Sequence, residues 1–385
     1  MKKHVIIMPI HSMPVDASKG GAIEQLLNTL INKNEEKGDV KFYIISPCSI
    51  AAKWENTEVI TIKINKFFAK LKTAFYLVLK KFKVLKSRRY SARYYNEALK
   101  ICDKLNPDVI MFQSKYPKNI NNFTKRFGKE KLMFHVHIQE HDKEDVSKYF
   151  GTLVSVSKFI EKDFSANNLI KQEIRLEVLN NCLANLNFLK TISEEEKQNL
   201  RTQMGFKQDD FIIFYCGRLH KDKGPDILIN AFNCLDNEKC KLLIVGESFF
   251  KNSKKTKYAK YLSEIAIKKA EKIKFTGYIP NNELYKYYQI SNLQVIPTRC
   301  EEAAGIVALE GKASKIPQII TNSGGLKEYS RLDAIEINKE CDVINNLKEA
   351  IEKVVNNEIV FNDVNINNIY DADFYYKKYL EITNI

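Results

Sequence analysis

Ten short apolar runs, each separated from the next by a helix-like stretch, limit what this chain can fold into more than any other feature. They cover residues 3–10, 41–46, 108–113, 131–138 and 151–156 in the first half, and 211–216, 241–246, 273–276, 293–297 and 317–321 in the second. Each is rich in Ile, Val, Leu or Phe, as strands buried on both faces must be. Strands alternating with helices predict an α/β protein with doubly wound parallel sheets. A chain of 385 residues is too long for one core of usual size, so two domains are expected. The join is placed in Val178-Leu179-Asn180-Asn181-Cys182-Leu183-Ala184-Asn185-Leu186, where a strand end runs into an Asn-rich loop. No internal repeat and no long disordered tract interrupts this pattern.

The composition, 44% hydrophobic and 28% charged, is that of a soluble globular protein, and no apolar run approaches the ~20 residues of a membrane span. Met1-Lys2-Lys3-His4-Val5-Ile6-Ile7-Met8 has a basic start. Its apolar stretch is short, Pro9 and His11 interrupt it, and no small-residue cleavage site follows, so it reads as a first buried strand. The eight cysteines form no C-x-x-C pair and do not cluster with His at metal spacing, which suits free thiols in a reducing cytoplasm.

Charge is uneven. Residues 1–180 hold 32 Lys+Arg against 19 Asp+Glu; residues 181–385 hold 29 against 28. Most of the excess lies between Lys63 and Arg93, and no acidic residue occurs from Val59 to Asn96. Within it, Phe67, Leu71, Phe75, Val78, Phe82 and Leu85 recur at steps of three and four, the stripe of an amphipathic helix, among Lys66, Lys70, Lys80, Lys81, Lys83, Lys86, Arg88 and Arg89. Such a helix suits an anionic membrane surface, and equally a domain core with a solvated basic face. No helix-turn-helix, zinc-finger or RNA-recognition signature accompanies it, so no nucleic-acid partner is expected.

Two stretches of the second half carry chemistry. In Glu301-Glu302-Ala303-Ala304-Gly305-Ile306-Val307-Ala308-Leu309-Glu310, two carboxylates flank a Gly at the head of a helix-like run. If the helix begins near Gly305, Glu302 lies in the entering loop and Glu310 on the second turn. The free N–H groups of Ala304, Gly305 and Ile306 then make an anion site beside two carboxylates. Hydroxyls for the carboxylates and phosphates for the amides describe a sugar nucleotide. Spacing alone is equally met by a surface helix with solvated glutamates. Upstream, Phe211–Cys216 runs into Gly217-Arg218-Leu219 and then Lys223-Gly224, before the apolar-periodic Ile227, Leu228, Ala231 and Phe232. This strand, turn and helix put Arg218 and Lys223 at the carboxyl end of a strand, where open α/β sheets bind ligands. Arg as a fork and Lys as a point charge can hold a diphosphate.

These stretches, with Leu242-Leu243-Ile244-Val245-Gly246, Phe275-Thr276-Gly277-Tyr278-Ile279 and Asn322-Ser323-Gly324-Gly325-Leu326-Lys327-Glu328, occur in an order and spacing that resembles the retaining glycosyltransferases of family 4. The resemblance covers roughly residues 205–330. It implies the GT-B fold, two Rossmann-like domains facing across a cleft. It divides the chain into an acceptor-side domain over 1–180, a nucleotide-sugar domain over 181–365, and a last helix over 366–385 that crosses back to the first. It implies transfer of a hexose from a nucleoside-diphosphate sugar to a saccharide acceptor, with retention. In that reading Arg218 and Lys223 neutralise the leaving diphosphate, and Glu310 takes the ribose hydroxyls. Glu302 holds the hexose hydroxyls, and the amides from Ala304 through Gly305 and Ile306 to Val307 bind phosphate or sugar oxygens. The Gly20-Gly21-Ala22 loop faces the donor phosphates, and His137, or His135 if its strand ends earlier, contacts the sugar.

Two departures from the family's pattern stand out. Ala303-Ala304-Gly305 replaces a Gly-Phe-Gly, which keeps the anion-binding Gly and alters the hexose-side contact, and Lys315 stands where a Gly commonly precedes the next strand. No cofactor and no metal is expected. The sole Asp-x-Asp, Asp371-Ala372-Asp373, reads as helix capping, and a zinc site from His135, His137 and His141 ranks below the sugar-contact reading. A catalytically silent binding protein, and a phosphorylase or epimerase on a similar fold, are the competing classes. The expected location is the cytoplasmic face of the cell membrane, with a lipid-linked saccharide acceptor.

Overall fold

The computed structural model describes residues 2–9, 21–47, 52–62, 82–139, 144–247, 256–362 and 371–385. Gly20, His141 and residues 63–81 of the basic segment lie outside the described residues. The rest of that segment opens the helix Phe82–Leu105. Among the described residues, no helix is long and apolar enough to cross a membrane.

The chain divides into two compact units, Met1–Cys182 with Ala372–Ile385, and Leu183–Asp371. The first is built on a seven-stranded sheet in the order β3-β2-β1-β4-β5-β6-β7. Its strands are β1 (Lys3–Met8), β2 (Val40–Ser46), β3 (Thr57–Thr61), β4 (Val109–Gln113), β5 (Leu132–Val136), β6 (Thr152–Ser155) and β7 (Arg175–Val178), all paired in parallel. Val5, Ile7, Phe42 and Ile44 of this sheet pack with Leu26, Leu27, Leu30 and Ile31 of the helix Ala22–Lys37. Tyr375, Tyr376, Tyr379 and Ile382 of the last helix, Ala372–Thr383, join the same cluster. Buried Asn34 ties them together: its amide donates to Val40 O at 2.9 Å, and its Oδ1 accepts from the Tyr376 hydroxyl at 2.8 Å. Asp373 sits in the first turn of the last helix, where a carboxylate suits the helix dipole, and pairs with Lys33 at 3.1 Å.

The second unit holds a six-stranded parallel sheet in the order β10-β9-β8-β11-β12-β13. Its strands are β8 (Phe211–Cys216), β9 (Cys240–Val245), β10 (Ile273–Gly277), β11 (Leu293–Ile296), β12 (Gln318–Thr321) and β13 (Ile335–Ile337). Alternate strand residues feed two separate cores. Ile213, Leu242, Ile244, Val295 and Ile319 face one, and Ile212, Phe214, Leu243, Val245 and Ile320 the other. Helices cover both faces, which is why these strands read as unbroken apolar runs.

The ten expected strands are all present. The run at 131–138 is shorter than expected: β5 stops at Val136, so His137 is the first residue beyond it rather than its end. Three further strands, β3, β7 and β13, lie at sheet edges and are only partly buried. Lys315 adopts the left-handed conformation, φ 60°, which is why a Gly serves well before β12.

Candidate active site

In the second unit, the loops after β8 and β11 are fastened together at the carboxyl end of the sheet. Gly224 makes this possible. Its φ is +66°, and a Cβ there would lie 1.9 Å from Pro297 O, so no other residue lets the Lys221–Gly224 turn approach so closely. The Thr298 hydroxyl and the Arg299 N–H both donate to Asp222 O, at 3.0 and 2.7 Å. The Arg299 guanidinium grips the Asp226 carboxylate with two bonds of 2.7 Å, and the Tyr258 hydroxyl donates to the same carboxylate at 2.5 Å. Burial would raise Asp226, but these donors outweigh it and hold the carboxyl below its usual range.

That fastening brings two of the expected residues into contact. The Lys223 ammonium lies 2.5 Å from a Glu302 carboxylate oxygen, which is also 3.0 Å from the Thr298 hydroxyl, whose one proton is shared between that oxygen and Asp222 O. The loop that carries Glu302 is held on its other side as well. Gly325 N–H donates to Glu302 O at 2.6 Å, Ser323 Oγ to Cys300 O at 2.6 Å, and Lys339 pairs with Glu301. Arg218 stands exposed just past β8. Its carbonyl accepts from the Tyr215 hydroxyl at 3.0 Å, and among the described residues its guanidinium makes no ion pair.

The helix Ile306–Ala313 begins as the spacing suggests, with Gly305 as its N-cap and no side-chain cap. Ala304 lies in the entering loop, and the N–H groups of Gly305, Ile306 and Val307 have no acceptor within the helix. Glu310, on the second turn, is 6% exposed. Its carboxylate accepts from the Tyr288 hydroxyl at 3.0 Å and from the Asn281 amide at 3.4 Å. Burial pushes its acid up to about 7, against the lowering effect of those two donors.

The remaining expected residues belong to the first unit. Gly21, with φ 109°, is the N-cap of the helix Ala22–Lys37. The rings of His135 and His137 lie against each other with centroids 4.0 Å apart and planes tilted by 44°, on one side of the chain as alternation requires. Both imidazoles are held neutral by burial: His135 falls well below its usual value and His137 to about 3. Among the described residues, neither His135 ring nitrogen, nor His137 Nε2, has a hydrogen-bond partner. Among the described residues, no group of three or more His, Cys, Asp or Glu is placed to hold a metal ion.

Sequence reasoning did not find Thr298, Asp226, Arg299, Tyr258, Tyr288 or Asn281. Thr298, directly after Pro297 at the end of an apolar run, carried a local signal; the others meet the site only through tertiary packing.

Residues 196–370 match the sequence model of the family described as glycosyl transferases group 1, so this part of the chain carries a glycosyltransferase group 1 domain. An uncharacterized glycosyltransferase of Methanocaldococcus jannaschii is 30% identical over 192 residues, 49% of this chain and 47% of that one. The lipopolysaccharide 1,2-N-acetylglucosaminetransferase of Salmonella typhimurium is 27% identical over 170 residues, 42% of this chain and 44% of that one. The chain thus spans about half the length of the curated relatives it matches. Among solved structures, Anabaena HepE in complex with UDP superposes with a TM-score of 0.67 at 15% identity, covering 100% of this chain and 95% of that one. The fold is that of GT-B glycosyltransferases, two α/β Rossmann-like units on parallel sheets.

Proposed function

We propose that this protein transfers a hexose from a nucleoside-diphosphate sugar to a hydroxyl of a lipid-linked saccharide, with retention at the anomeric carbon, as a family 4 enzyme that needs no metal. The observation that carries the reading is the Lys223–Glu302 pair, held beside the helix that bears Glu310. One cation, one sugar-facing carboxylate, free helix amides and one buried carboxylate match the parts of a sugar nucleotide in order. The match of residues 196–370 and the UDP bound to Anabaena HepE support the donor class.

In the reaction, the bond from C1 to the diphosphate oxygen breaks and its electron pair leaves with the diphosphate. Arg218, Lys223 and the amides of Gly305 to Val307 stabilise that growing charge by preorganised donation. The acceptor oxygen bonds to C1 and its proton passes to the departing phosphate. Glu302 orients the hexose, Glu310 the ribose, and neutral His137 contacts the sugar. The excess of basic residues in Lys63–Arg93 supports a place on the anionic cytoplasmic leaflet, beside a lipid-linked acceptor.

The test is incubation of the purified protein with UDP-, GDP- and ADP-hexoses, with and without chelator, reading donor turnover and product anomer by NMR. Turnover of one donor with retained configuration, unaffected by chelator, is expected. Turnover of none, or of sugar phosphates alone, sinks the reading. Binding to anionic vesicles that falls with salt is expected; indifference to them at low salt removes the membrane part.

A further inference from the structure

Two glutamines lie where a parallel sheet has no need of them. Gln294 of β11 and Gln318 of β12 are register partners, both 0% exposed, among Ile, Val and Leu neighbours. A buried amide is tolerated only when its hydrogen-bonding groups are satisfied. Here room has been made for the pair: a Cβ on Gly311 would lie 1.9 Å from Gln294 Oε1 and 2.7 Å from Gln318 Nε2. Apolar side chains with Ala at 311 would pack the same space without polar cost, so the arrangement calls for a reason other than packing.

The bonds have one direction. Arg331 N–H donates to Gln318 Oε1 at 2.8 Å. Gln318 Nε2 carries two hydrogens, given to Gln294 Oε1 at 2.7 Å and to Ala308 O at 2.8 Å. Gln294 Nε2 likewise serves Val307 O at 2.9 Å and the Tyr288 oxygen at 3.4 Å. The Tyr288 hydroxyl has one proton and, among the described residues, two oxygen acceptors in reach, Glu310 Oε2 at 3.0 Å and Val307 O at 3.3 Å; the Cys216 thiol, held protonated by burial, also bonds to it and is a weaker acceptor than either oxygen. Val307 O is already served by Gln294, and a hydroxyl bonds more strongly to a carboxylate than to a peptide carbonyl. The Tyr288 proton therefore goes to Glu310. From Arg331 onward one donor at each step points toward that carboxylate, while the second hydrogen of each glutamine amide anchors it to a backbone carbonyl of the Glu310 helix, and bonds in such a chain strengthen one another.

We infer that Tyr288, Gln294 and Gln318 are positioning residues for Glu310: a one-way hydrogen-bond chain that fixes the orientation of its carboxylate and keeps it able to ionise while buried. The inference rests on reading Glu310 as the acceptor of the ribose hydroxyls. The titratable groups facing Glu310 are Tyr288 and, against it, Cys216, both held protonated by burial. With the carboxyl of Glu310 raised to about 7, the ionised form that accepts two hydroxyls is lost as pH falls through neutrality.

The experiment measures affinity for UDP, GDP and ADP by calorimetry from pH 5.5 to 8.5, on wild type, Tyr288→Phe, Gln294→Leu, Gln318→Leu, Glu310→Gln and the Tyr288→Phe/Glu310→Gln double variant, each checked for folding by circular dichroism. Wild-type affinity for the nucleotide that binds should decline on acidification. Tyr288→Phe should move that decline upward by about one pH unit, with about fivefold weaker binding at pH 7 that recovers toward pH 8.5. Gln294→Leu should shift it in the same direction by less, and Gln318→Leu by less again. Glu310→Gln should abolish the pH dependence, and adding Tyr288→Phe to it should change nothing further. A loss equal at every pH, or a Tyr288→Phe effect undiminished in the Glu310→Gln background, overturns the inference while leaving the functional reading intact. If the wild type binds none of the three nucleotides, the functional reading fails and the inference with it.

Discussion

The two sheets are wound alike, with the first strand of each lying inside the sheet, the next strands added to one side, and the later ones to the other. Their carboxyl ends differ. In the second unit Lys223, Glu302, Asp226, Arg299 and Glu310 all have partners in the protein. In the first, Gln113 Oε1, Ser114 Oγ, both ring nitrogens of His135 and Nε2 of His137 are buried without one among the described residues, whereas the second sheet end has a single such atom, Glu247 Oε2. A closed network fixes side chains before any ligand arrives, and removing one partner strands the other in low dielectric. An unpartnered polar atom already carries its desolvation cost, so replacing it by an apolar group costs the fold little. Function and stability are therefore coupled at one sheet end and largely independent at the other.

The largest effect that tests this contrast is catalytic. Lys223→Ala and Glu302→Gln should each slow transfer by about 100-fold or more, on the scale of one lost preorganised donor. Near-wild-type turnover in either variant, with the donor found above, removes the pair from the chemistry. Next in size is the stability of the second unit. Arg299→Ala leaves the Asp226 charge buried with the Tyr258 hydroxyl as its remaining side-chain donor and should cost about 2–3 kcal/mol in denaturant unfolding. His135→Leu, in the first unit, should stay within about 1 kcal/mol of wild type. Equal losses from the two variants would erase the difference between the units.

Acid should act on the two units in opposite directions. His137 is lowered from 6.5 to about 3, so the unfolded chain binds more protons between those values and the first unit weakens as pH falls below 6.5. Glu310 is raised from 4.5 to about 7, so the folded chain binds more protons there and the second unit gains as pH falls from 7 toward 4.5. Hydrogen exchange at pH 7 and pH 5, with His137→Gln and Glu310→Gln as controls, separates these responses; parallel shifts in both units would contradict them. The smallest effect is local. Lys315→Gly relieves a left-handed backbone at a non-Gly residue and should stabilise by about 1 kcal/mol, read as a rise in thermal midpoint. No rise would mean that the left-handed backbone at Lys315 carries no strain, since the Arg331 bond to Lys315 O is kept in the variant.

What the sequence revealed follows from where burial is complete. Interior strands such as β8 and β9 are covered on both faces and read as apolar runs; edge strands such as β3 and β13 are half exposed, and their mixed pattern hides them. Residues 302 to 310 were legible as a site because loop, cap and helix lie consecutively in the chain. Tyr288 and Arg299 were not, because each reaches its carboxylate across a fold, from a strand end or a neighbouring helix. Gln294 and Gln318 sit inside apolar strands where periodicity gives polar residues no special meaning. Only the space at Gly311 and the bond directions distinguish them.

The last helix has a consequence for how the chain is made. The chain leaves its first unit after Cys182 and returns only at Ala372, so the bond between Asn34 and Tyr376 spans 342 positions. Until those residues leave the ribosome, the apolar surface of Phe42, Leu27 and Ile31 lacks the Tyr379 side chain that packs with it. The whole of Leu183–Asp371 has by then emerged. Synthesis thus allows the second unit to mature first, reversing the usual N-to-C order, with the core of the first unit completed only when the last helix emerges.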